Sequence, residues 1–408
     1  MNDYTAVRPL GHGANQKGLR NHNERLVLSQ LQRHGAMPGS DLARLTGLSA
    51  QTVSVILRKL KNDGLTQQGK PVRGKVGKPS VPITLNPMGA LSIGCKLGRR
   101  SCDLIVMDMC GATLFKRSLT YEIALPQTIF EFLATSYADA LVEIGPKAAA
   151  QLCGFGIAAP FEIWKWGASN GNTPEDFLSW KDLTFHEEIA RFTDLPVFML
   201  NDATSACWAE HVYGRGREFH DYAYFFVSTF IGGGIVLNQS VYEGNRGNAG
   251  AFGPLRVGDR AGRTKQLLDV ASVHVLESAL SKAGHDPRDL WKQPQDWSAY
   301  PAEVEDWIDG SAHAIAQACM SVCAVIDFEA VVIDGALPPD VRHRLVAAVT
   351  AKLPAEDSRG LLLPAIEEGV IGGEARALGA ACGPIFSQYF FTTQFASLEQ
   401  APAERDRG

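Results

Sequence analysis

Residues 38–65, PGSDLARLTGLSAQTVSVILRKLKNDGL, decide the fold of the N-terminal part of the chain. Apolar side chains recur there at helical spacing in two segments, at Leu42 and Leu45 and again at Val53, Ile56, Leu57 and Leu60. Ser40 and Ser49 are the predicted N-caps of these segments, and Gly47 is the predicted end of the first. Two short helices joined by a tight turn containing glycine are typical of a helix-turn-helix.

The segments on either side complete a winged form of this motif. Residues 22–36, HNERLVLSQLQRHGA, predict a preceding helix that ends at Gly35. Residues 65–87 are predicted to form a strand, a basic loop and a second strand, which is the pattern of a wing. The loop offers cations to a DNA groove or backbone, and a linker with incidental charge is the alternative.

Polar side chains at the start of the second segment point away from its apolar face. Short polar groups at such positions reach base edges in a major groove, whereas lysine and arginine suit phosphates. A solvated helix face is the alternative interpretation for each residue taken singly. The predicted DNA-binding residues are Ser49, Gln51, Thr52, Ser54, Arg58 and Lys59, with Arg73, Lys75 and Lys78 in the wing.

The balance of charged residues changes at the end of this N-terminal domain. Residues 1–87 hold 13 Lys and Arg against 4 Asp and Glu, whereas the remaining residues hold 26 against 40. A basic head on an acidic body predicts that the head binds a polyanion, most simply double-stranded DNA. The body is expected to have a different role.

Composition excludes several classes of protein. No stretch approaches the roughly 18 consecutive apolar residues of a membrane span, and the N-terminus lacks the apolar core of a signal peptide, so we expect a cytoplasmic protein that does not bind membranes. The eight cysteines form no CxxC pair. Cys319 and Cys323 are spaced as neighbours on one helix, which favours two buried thiols over metal ligands. We therefore expect no metal and no cofactor.

From residue 88 the chain alternates short apolar strands with helical segments. The strands are predicted in ALSIGCKLG, CDLIVMDMCG, GATLFKRSLTY, CGFGIAAP, PVFMLNDA, AYFFVSTFIGGGIVLNQSVY and AVVIDGALPP. An antiparallel meander followed by crossover helices occurs twice in this order, which predicts two α/β lobes.

The chain resembles the ROK family, named for repressors, open reading frames and sugar kinases, and specifically its repressor branch. The resemblance spans about residues 20 to 385 and rests on the helix-turn-helix, the GKP wing, IGCKLG, GFGIAAP, PVFMLNDA, STFIGGGIVLNQSVYEGNRGNAGAFG and VVIDGA. It implies an α/β fold class: an N-terminal winged helix-turn-helix followed by a two-lobed ribonuclease-H-like body of the actin-type ATPase and sugar kinase kind. It also implies a sugar pocket between the lobes and a homodimer or homotetramer.

The family's kinase residues are mostly replaced. The first hairpin of family kinases reads Asp-x-Gly-Gly-Thr, whereas Lys96, Gly98, Arg99 and Arg100 stand at those places here. A cation thus replaces the carboxylate near the metal, and long side chains crowd the phosphate turn. In the second glycine-rich stretch, residues 228–234, Phe230 replaces a glycine, and the late double glycine has become Asp334-Gly335. We therefore expect no catalytic residues and no enzyme activity.

The sugar side is partly retained. Asn201 and Asp202 match the family's Asn-Asp pair, whose aspartate acts as a base toward a sugar hydroxyl, although Asp202 could instead cap the following helix. The family's Gly-Glu-x-Gly-His element is Gly250-Ala251-Phe252-Gly253-Pro254 here, and DRAGRTKQLLDVAS replaces the cysteine-rich zinc loop. The sugar-binding glutamate that follows becomes Leu268, or Asp269 if the alignment shifts by one residue. The predicted effector-binding residues are Asn201, Asp202, Gly233, Gly234, Gly247 and Asn248.

The sequence thus predicts a transcriptional regulator, a repressor of carbohydrate-uptake or catabolic genes, with a kinase-like body that senses a carbohydrate or a relative. The alternatives are an active sugar kinase with a DNA-binding head and a regulator controlled by a protein partner. The expected domains are an N-terminal arm (1–20), the winged helix-turn-helix (21–87), lobe 1 (88–200), lobe 2 (201–390) with C-terminal helices returning to lobe 1, and a flexible tail (391–408).

Overall fold

The computed structural model describes residues 16–70, 81–160, 179–181 and 183–391. These residues divide into two compact units. One comprises the described residues up to 89 together with 386–391, and the other comprises residues 90–385. The first unit is called the head below, and the second the body.

The described residues of the head form three helices and a two-stranded sheet. Its elements are α1 (Gln16–His34), α2 (Gly39–Thr46), α3 (Ala50–Asn62) and the antiparallel strands β1 (Thr66–Gln68) and β2 (Ile83–Leu85). Its buried core comprises Val27, Leu28, Leu31, Met37, Leu42, Val53, Ile56, Leu60, Ile83 and Leu85. Phe391, the last described residue, belongs to this unit, and its backbone N–H donates to Ser29 Oγ at 2.8 Å.

The helices of the head end at the predicted glycines, but two of them start at positions that differ from the prediction. Gly35 and Gly47 both adopt left-handed backbone angles, with φ of 74° and 68°, so each ends its helix as predicted. The first helix spans Gln16–His34 among the described residues, so it extends into the predicted arm. Ser40 is not an N-cap: α2 begins at Gly39 behind the extended Pro38, and no side chain caps it.

The first half of the body is a mixed five-stranded sheet. Its strands are β3 (Leu91–Leu97), β4 (Ser101–Asp108), β5 (Thr113–Thr120), β6 (Leu152–Ala159) and β7 (Val197–Asn201). Their order is β5-β4-β3-β6-β7, with β3–β5 antiparallel and β6 and β7 parallel to β3. The helices in the described part of this lobe are α4 (Pro126–Ala149), which is broken at Gly145, and the short α5 (Phe185–Ile189).

The second half repeats this order after the helix α6 (Asp202–Tyr213). Its strands are β8 (Tyr222–Val227), β9 (Gly232–Leu237), β10 (Ser240–Tyr242), β13 (Ala330–Gly335) and β14 (Ala365–Glu368), arranged β10-β9-β8-β13-β14. Between β10 and β13 lie a small hairpin, β11 (Arg256–Gly258) and β12 (Thr264–Gln266), and the helices α7 (Leu268–Ala271), α8 (Val273–Lys282) and α9 (Pro301–Val325). The helix α10 (Pro339–Lys352) connects β13 to β14. Two sheets with one strand order confirm the predicted two-lobed fold.

Two helices join the lobes. Helix α6 contacts strands of both sheets. The C-terminal helix α11 (Ala375–Tyr389) packs against α6, where Ser205 Oγ donates to the carbonyl oxygen of Arg376 at 2.8 Å. It also packs against β3, where Ser92 Oγ donates to the carbonyl oxygen of Ala381 at 2.7 Å. The first turns of α6 and α11 therefore meet where the two lobes face each other. No helix among the described residues is long and apolar enough to cross a membrane.

Candidate functional site

Helix α3 presents one polar face to solvent. Val53, Ile56 and Leu60 are buried against the other head helices, while Gln51, Ser54 and Arg58 are exposed on the opposite side. This is the arrangement that inserts a helix into a major groove, because exposed polar groups near its start can reach base edges.

Two of the predicted DNA-binding residues have a structural role at the start of α3. Ser49 Oγ accepts the backbone N–H of Thr52 at 3.1 Å, as predicted for an N-cap. The hydroxyl groups of Ser49 and Thr52 are also 2.8 Å apart and share a hydrogen bond. Both hydroxyl groups therefore stabilise the first turn of α3.

The cations of α3 differ in their partners. Lys59 Nζ lies 2.5 Å from Glu24 Oε2 on α1, so its charge is already compensated within the head. Arg58 is exposed and forms no ion pair with any described residue. The three wing cations Arg73, Lys75 and Lys78 lie outside the described residues. Of the predicted phosphate contacts, Arg58 is the one that the described structure leaves available.

Sequence reasoning missed Val55 on the same face. Its side chain is 59% exposed between Gln51 and Arg58, where every other exposed residue is polar or charged. An apolar group in a major groove contacts the methyl group of thymine. The signal was present in the sequence, since Val55 falls one position outside the apolar face of the helix.

In the body, Asn201 and Asp202 stand at the junction of β7 and α6. Asn201 caps the helix, because its Oδ1 accepts the backbone N–H groups of Ala203 at 3.0 Å and Thr204 at 3.5 Å. Asp202 is the first helical residue and keeps its carboxylate for other partners. The capping role that the sequence offered for Asp202 therefore belongs to its neighbour.

The partner of Asp202 is Arg376, which sequence reasoning missed. Nη1 of Arg376, in the first turn of α11, lies 3.5 Å from Oδ2 of Asp202. The guanidinium also lies 5.3 Å from the centroid of the Phe226 ring. Asp202 and Arg376 are far apart in the chain and belong to no common motif, so the sequence pattern could not predict this ion pair.

Lys96 is buried and forms an ion pair with Asp103. Its Nζ donates to Ser101 Oγ at 2.5 Å and to Asp103 Oδ2 at 3.0 Å on the neighbouring strand. Burial lowers the pKa of Lys96, and the nearby charge of Arg376 lowers it further against the opposing effect of Asp103. Burial alone would raise the pKa of Asp103, but Lys96, Ser118 and Arg376 together outweigh burial and lower it. The charges of Lys96, Asp103, Asp202 and Arg376 thus form one cluster, called the cleft cluster below.

The two turns that hold phosphates in family kinases touch each other here. The guanidinium carbon of Arg99 lies 4.2 Å from the centroid of the Phe230 ring, a cation–π contact between the lobes. Nε of Arg100 lies 3.7 Å from Oε1 of the buried Glu277 on α8. Burial, followed by repulsion from Arg100, lowers the pKa of Arg99 to about 10, so the group is charged at neutral pH. Side chains thus occupy the space between the turns.

The triple glycine of β9 is explained by packing. A methyl group at Gly232 would lie 2.9 Å from Cβ of Ala203, and one at Gly234 would lie 2.5 Å from Cβ of Cys207. Helix α6 therefore approaches β9 too closely for any side chain there, and Phe252 excludes one at Gly233 in the same way. Gly247 is exposed in a turn with φ of 68°, and Asn248 is exposed beside it.

The zinc-loop region is a hairpin held by hydrogen bonds. Asp259 accepts the backbone N–H groups of Ala261 at 3.0 Å and Arg263 at 2.9 Å, and Gln317 accepts that of Gly258 at 2.7 Å. Among the described residues, no group of three His, Cys, Asp or Glu could hold a metal ion.

Leu268, which the unshifted alignment places at the glutamate position, lies two residues after this hairpin. Its backbone N–H donates to the carbonyl oxygen of Gly253 at 3.0 Å, so it lies against residues 250–254. Asp269 instead lines a separate surface pocket of about 650 Å³ with Lys265 and Trp307. Ala251 and Leu268 therefore remain the predicted counterparts of the family's two sugar-binding carboxylates.

Comparison with known proteins matches both units. A model of the ROK family matches residues 92–382, and a model of winged helix-turn-helix DNA-binding domains matches residues 20–65. The uncharacterized protein y4fQ of Sinorhizobium fredii is 25% identical over 370 residues, which are 90% of this chain and 92% of that one.

Repressors and kinases both occur among the relatives. The xylose repressor of Bacillus subtilis is 24% identical over 60% of this chain and 62% of its own, less than two thirds of its length. The N-acetylmannosamine kinase of Vibrio vulnificus is 30% identical over 48% of this chain and 67% of its own. Among solved structures, a ROK family transcriptional regulator described as a homolog of the E. coli MLC protein superposes with a TM-score of 0.63 and 19% identity, over 91% of this chain and 96% of that one.

Proposed function

The chain belongs to the ROK family, and on that premise we propose that it is a DNA-binding transcriptional regulator, a repressor of carbohydrate-uptake or catabolic genes. In this proposal the head binds a double-stranded operator and the body senses a small-molecule effector without phosphorylating it. The observation that carries the proposal is the contact of Arg99 with Phe230, which joins the two turns that match the family's phosphate-binding stretches, in a chain that also has a winged helix-turn-helix head.

The exposed face of α3 supports operator binding. Gln51 and Ser54 offer hydrogen bonds to base edges, Val55 offers an apolar contact, and Arg58 offers a phosphate contact. Two heads that are joined in a homodimer or homotetramer would bind half-sites one or two helical turns apart.

A selection from random-sequence DNA tests operator binding. We expect the wild-type protein to enrich a symmetric site, and we expect Gln51→Ala to reduce affinity for that site by at least about tenfold, the cost of a lost bidentate base contact. The matched control is Gln127→Ala on α4, where the exposed glutamine donates a hydrogen bond to Glu131 of the same helix. Failure of the wild-type protein to enrich any sequence would contradict the proposal.

The phosphate turns favour a sensor over an enzyme. A kinase needs open backbone and a metal near the transferred phosphate, whereas Arg99, Phe230, Arg100 and Glu277 occupy this region. The metal-side carboxylate is replaced by Lys96, which is already paired with Asp103. These replacements support a body that senses a ligand without phosphorylating it.

A phosphorylation assay separates the two functions. We expect no sustained ATP-dependent phosphorylation of xylose, glucose or N-acetylmannosamine. Phosphorylation that is abolished by Asp202→Asn would establish the sugar kinase instead, because Asp202 matches the family's general base.

The effector would act by shifting the relative population of lobe arrangements. A ligand that binds one arrangement more tightly biases the spacing of the two heads, and half-site spacing then decides operator affinity. Titration of candidate sugars against the selected operator tests this coupling. Operator affinity that responds to a purified protein partner and to no small molecule would favour the protein-controlled alternative.

A further inference from the structure

Val55 is an exposed apolar side chain within the polar surface of α3. Its side chain is 59% exposed, whereas Val53, Ile56 and Leu60 of the same helix are buried in the core of the head. An apolar group that remains in water gains little on folding, but it contributes to binding when a partner covers it. Val55 is therefore a candidate contact for the partner of this face.

The position of Val55 on the helix aligns it with two groups that suit DNA. Gln51 lies four residues before it and Arg58 three residues after it, so the three side chains form one stripe along the exposed face. The start of such a helix contacts base edges, and its cations contact phosphates. Val55 thus lies between a side chain that suits a base edge and one that suits a phosphate.

The polar neighbours of Val55 cannot recognise everything that a base pair presents in the major groove. The hydroxyl groups of Ser49 and Thr52 are 2.8 Å apart and share a hydrogen bond, so they hold the helix start. Gln51 and Ser54 remain exposed beside Val55 and can read hydrogen-bonding edges. The methyl group at C5 of a pyrimidine forms no such hydrogen bond and is read by an apolar side chain. Val55 therefore supplies a contact that its polar neighbours do not.

We propose that Val55 is a specificity-determining residue, which contacts the C5 methyl group of a pyrimidine in each operator half-site. In unmodified DNA this base is thymine, because the other three bases carry no methyl group in the major groove. The inference rests on the proposed role of the head in operator binding. It implies that operator affinity depends on a methyl group that does not alter the hydrogen-bonding pattern of its base pair.

Base analogues test this contact on the full-length protein. The probe is a duplex of the site that the wild-type protein enriches from random-sequence DNA, with each thymine of one half-site replaced in turn by uracil. Uracil differs from thymine only by the missing methyl group. We expect one replacement to weaken binding about threefold to fourfold, the effect of losing one buried methyl group. Fluorescence anisotropy at a fixed salt concentration measures each affinity.

A second pair of duplexes separates the methyl group from the base that carries it. Cytosine or 5-methylcytosine, each paired with guanine, is placed at the position that responds to uracil. The methylated base presents its methyl group at the same ring atom as thymine does. It should therefore bind about threefold to fourfold more tightly than cytosine. Equal affinity for these two duplexes would contradict a contact with the methyl group.

Two variants that differ by one methyl group test whether Val55 is the contacting residue. Val55→Ser removes the apolar contact, so the thymine and uracil duplexes should bind it with equal affinity. Val55→Thr keeps one methyl group and should retain part of the preference for thymine. The matched control, Val142→Ala, replaces a valine that is 83% exposed on α4, and it should keep the full wild-type preference. The unfolding temperature of each variant confirms that it is folded.

Two further results would overturn this role for Val55. One is equal affinity of the wild-type protein for the parent duplex and for every uracil duplex. The other is an unchanged preference for thymine in Val55→Ser, which would mean that the methyl group acts through DNA shape or through another residue. The selection with wild-type protein is a separate readout: an enriched site that shows no dependence on methyl groups would refute the role of Val55 and leave operator binding standing.

Discussion

Ser49 shows how one hydroxyl group supports the DNA-binding surface without contacting DNA. It accepts the N–H of Thr52 and fixes the first turn of α3, from which Gln51, Ser54 and Val55 project. Its sequence signal was clear, because serine before an apolar helical segment is a common N-cap. Ser40 also precedes an apolar helical segment, but it is not a cap, because α2 begins one residue earlier, at Gly39 after Pro38.

Replacing Ser49 by alanine tests this role. We expect Ser49→Ala to destabilise the start of α3 by about 1 kcal/mol, because the Thr52 N–H loses its acceptor. Hydrogen exchange of the α3 amides in the full-length protein measures the change. Ser54→Ala is the control: its side chain is exposed and caps nothing, so exchange should match wild type. Equal protection in both variants would contradict the capping role.

At the scale of elements, the contact of α6 with β9 explains why the triple glycine is present here without a phosphate-binding role. The triple glycine is associated with phosphate in family kinases, yet here it lies under Ala203 and Cys207. This close approach brings the first turn of α6, with Asp202, against the second sheet. Glycine is needed because two backbones meet, whatever ligand the cleft holds.

The packing role makes a stability prediction. Gly234→Ala should lower the free energy of unfolding by about 1–3 kcal/mol, because its methyl group would lie 2.5 Å from Cβ of Cys207 in the buried body. Gly373→Ala is the matched control, since its new methyl group would meet no atom closer than 4.0 Å. Urea denaturation measures both variants. An unchanged free energy of unfolding in Gly234→Ala would show that α6 can move away from β9.

The hairpin of β11 and β12 shows how hydrogen bonds can hold the region that zinc holds in family kinases. Asp259 and Gln317 accept the backbone N–H groups of its turn and edge. We expect a chelator such as EDTA to leave the unfolding temperature unchanged. Asp259→Ala should instead accelerate hydrogen exchange at Ala261 and Arg263, whose acceptor it removes. A fall in unfolding temperature with EDTA would reveal a structural metal.

On the scale of the whole molecule, two buried carboxyl groups connect stability to pH. Burial raises the pKa of Glu210, and the charge of Asp334 raises it further. Burial also raises the pKa of Asp334, against the opposing effects of Arg342, Gly335, Gly372 and Tyr224. Each group therefore holds its proton to a higher pH in the folded chain than in the unfolded chain.

The sign of the pH dependence follows from proton binding. Above about pH 4, where unfolded carboxyl groups ionise, the folded state binds more protons, so rising pH lowers stability until both groups have ionised. Asp334→Asn removes one titration and should make the fall in unfolding temperature between pH 4.5 and 7.5 shallower than in wild type. Asp340→Asn, at an exposed carboxylate, serves as control. Identical slopes for wild type and Asp334→Asn would contradict this account.

The sequence alone determined the helix-turn-helix, the repeated strand order and the replacement of the phosphate-turn and zinc residues. These features depend on local periodicity and on residue identity within single motifs, and both can be read along the chain. The tertiary structure alone decided that Asp202 faces Arg376, that Arg99 lies on Phe230, and that the triple glycine packs against α6. Each of these contacts joins segments that are distant in sequence, and only the folding of the two lobes around α6 and α11 brings them together.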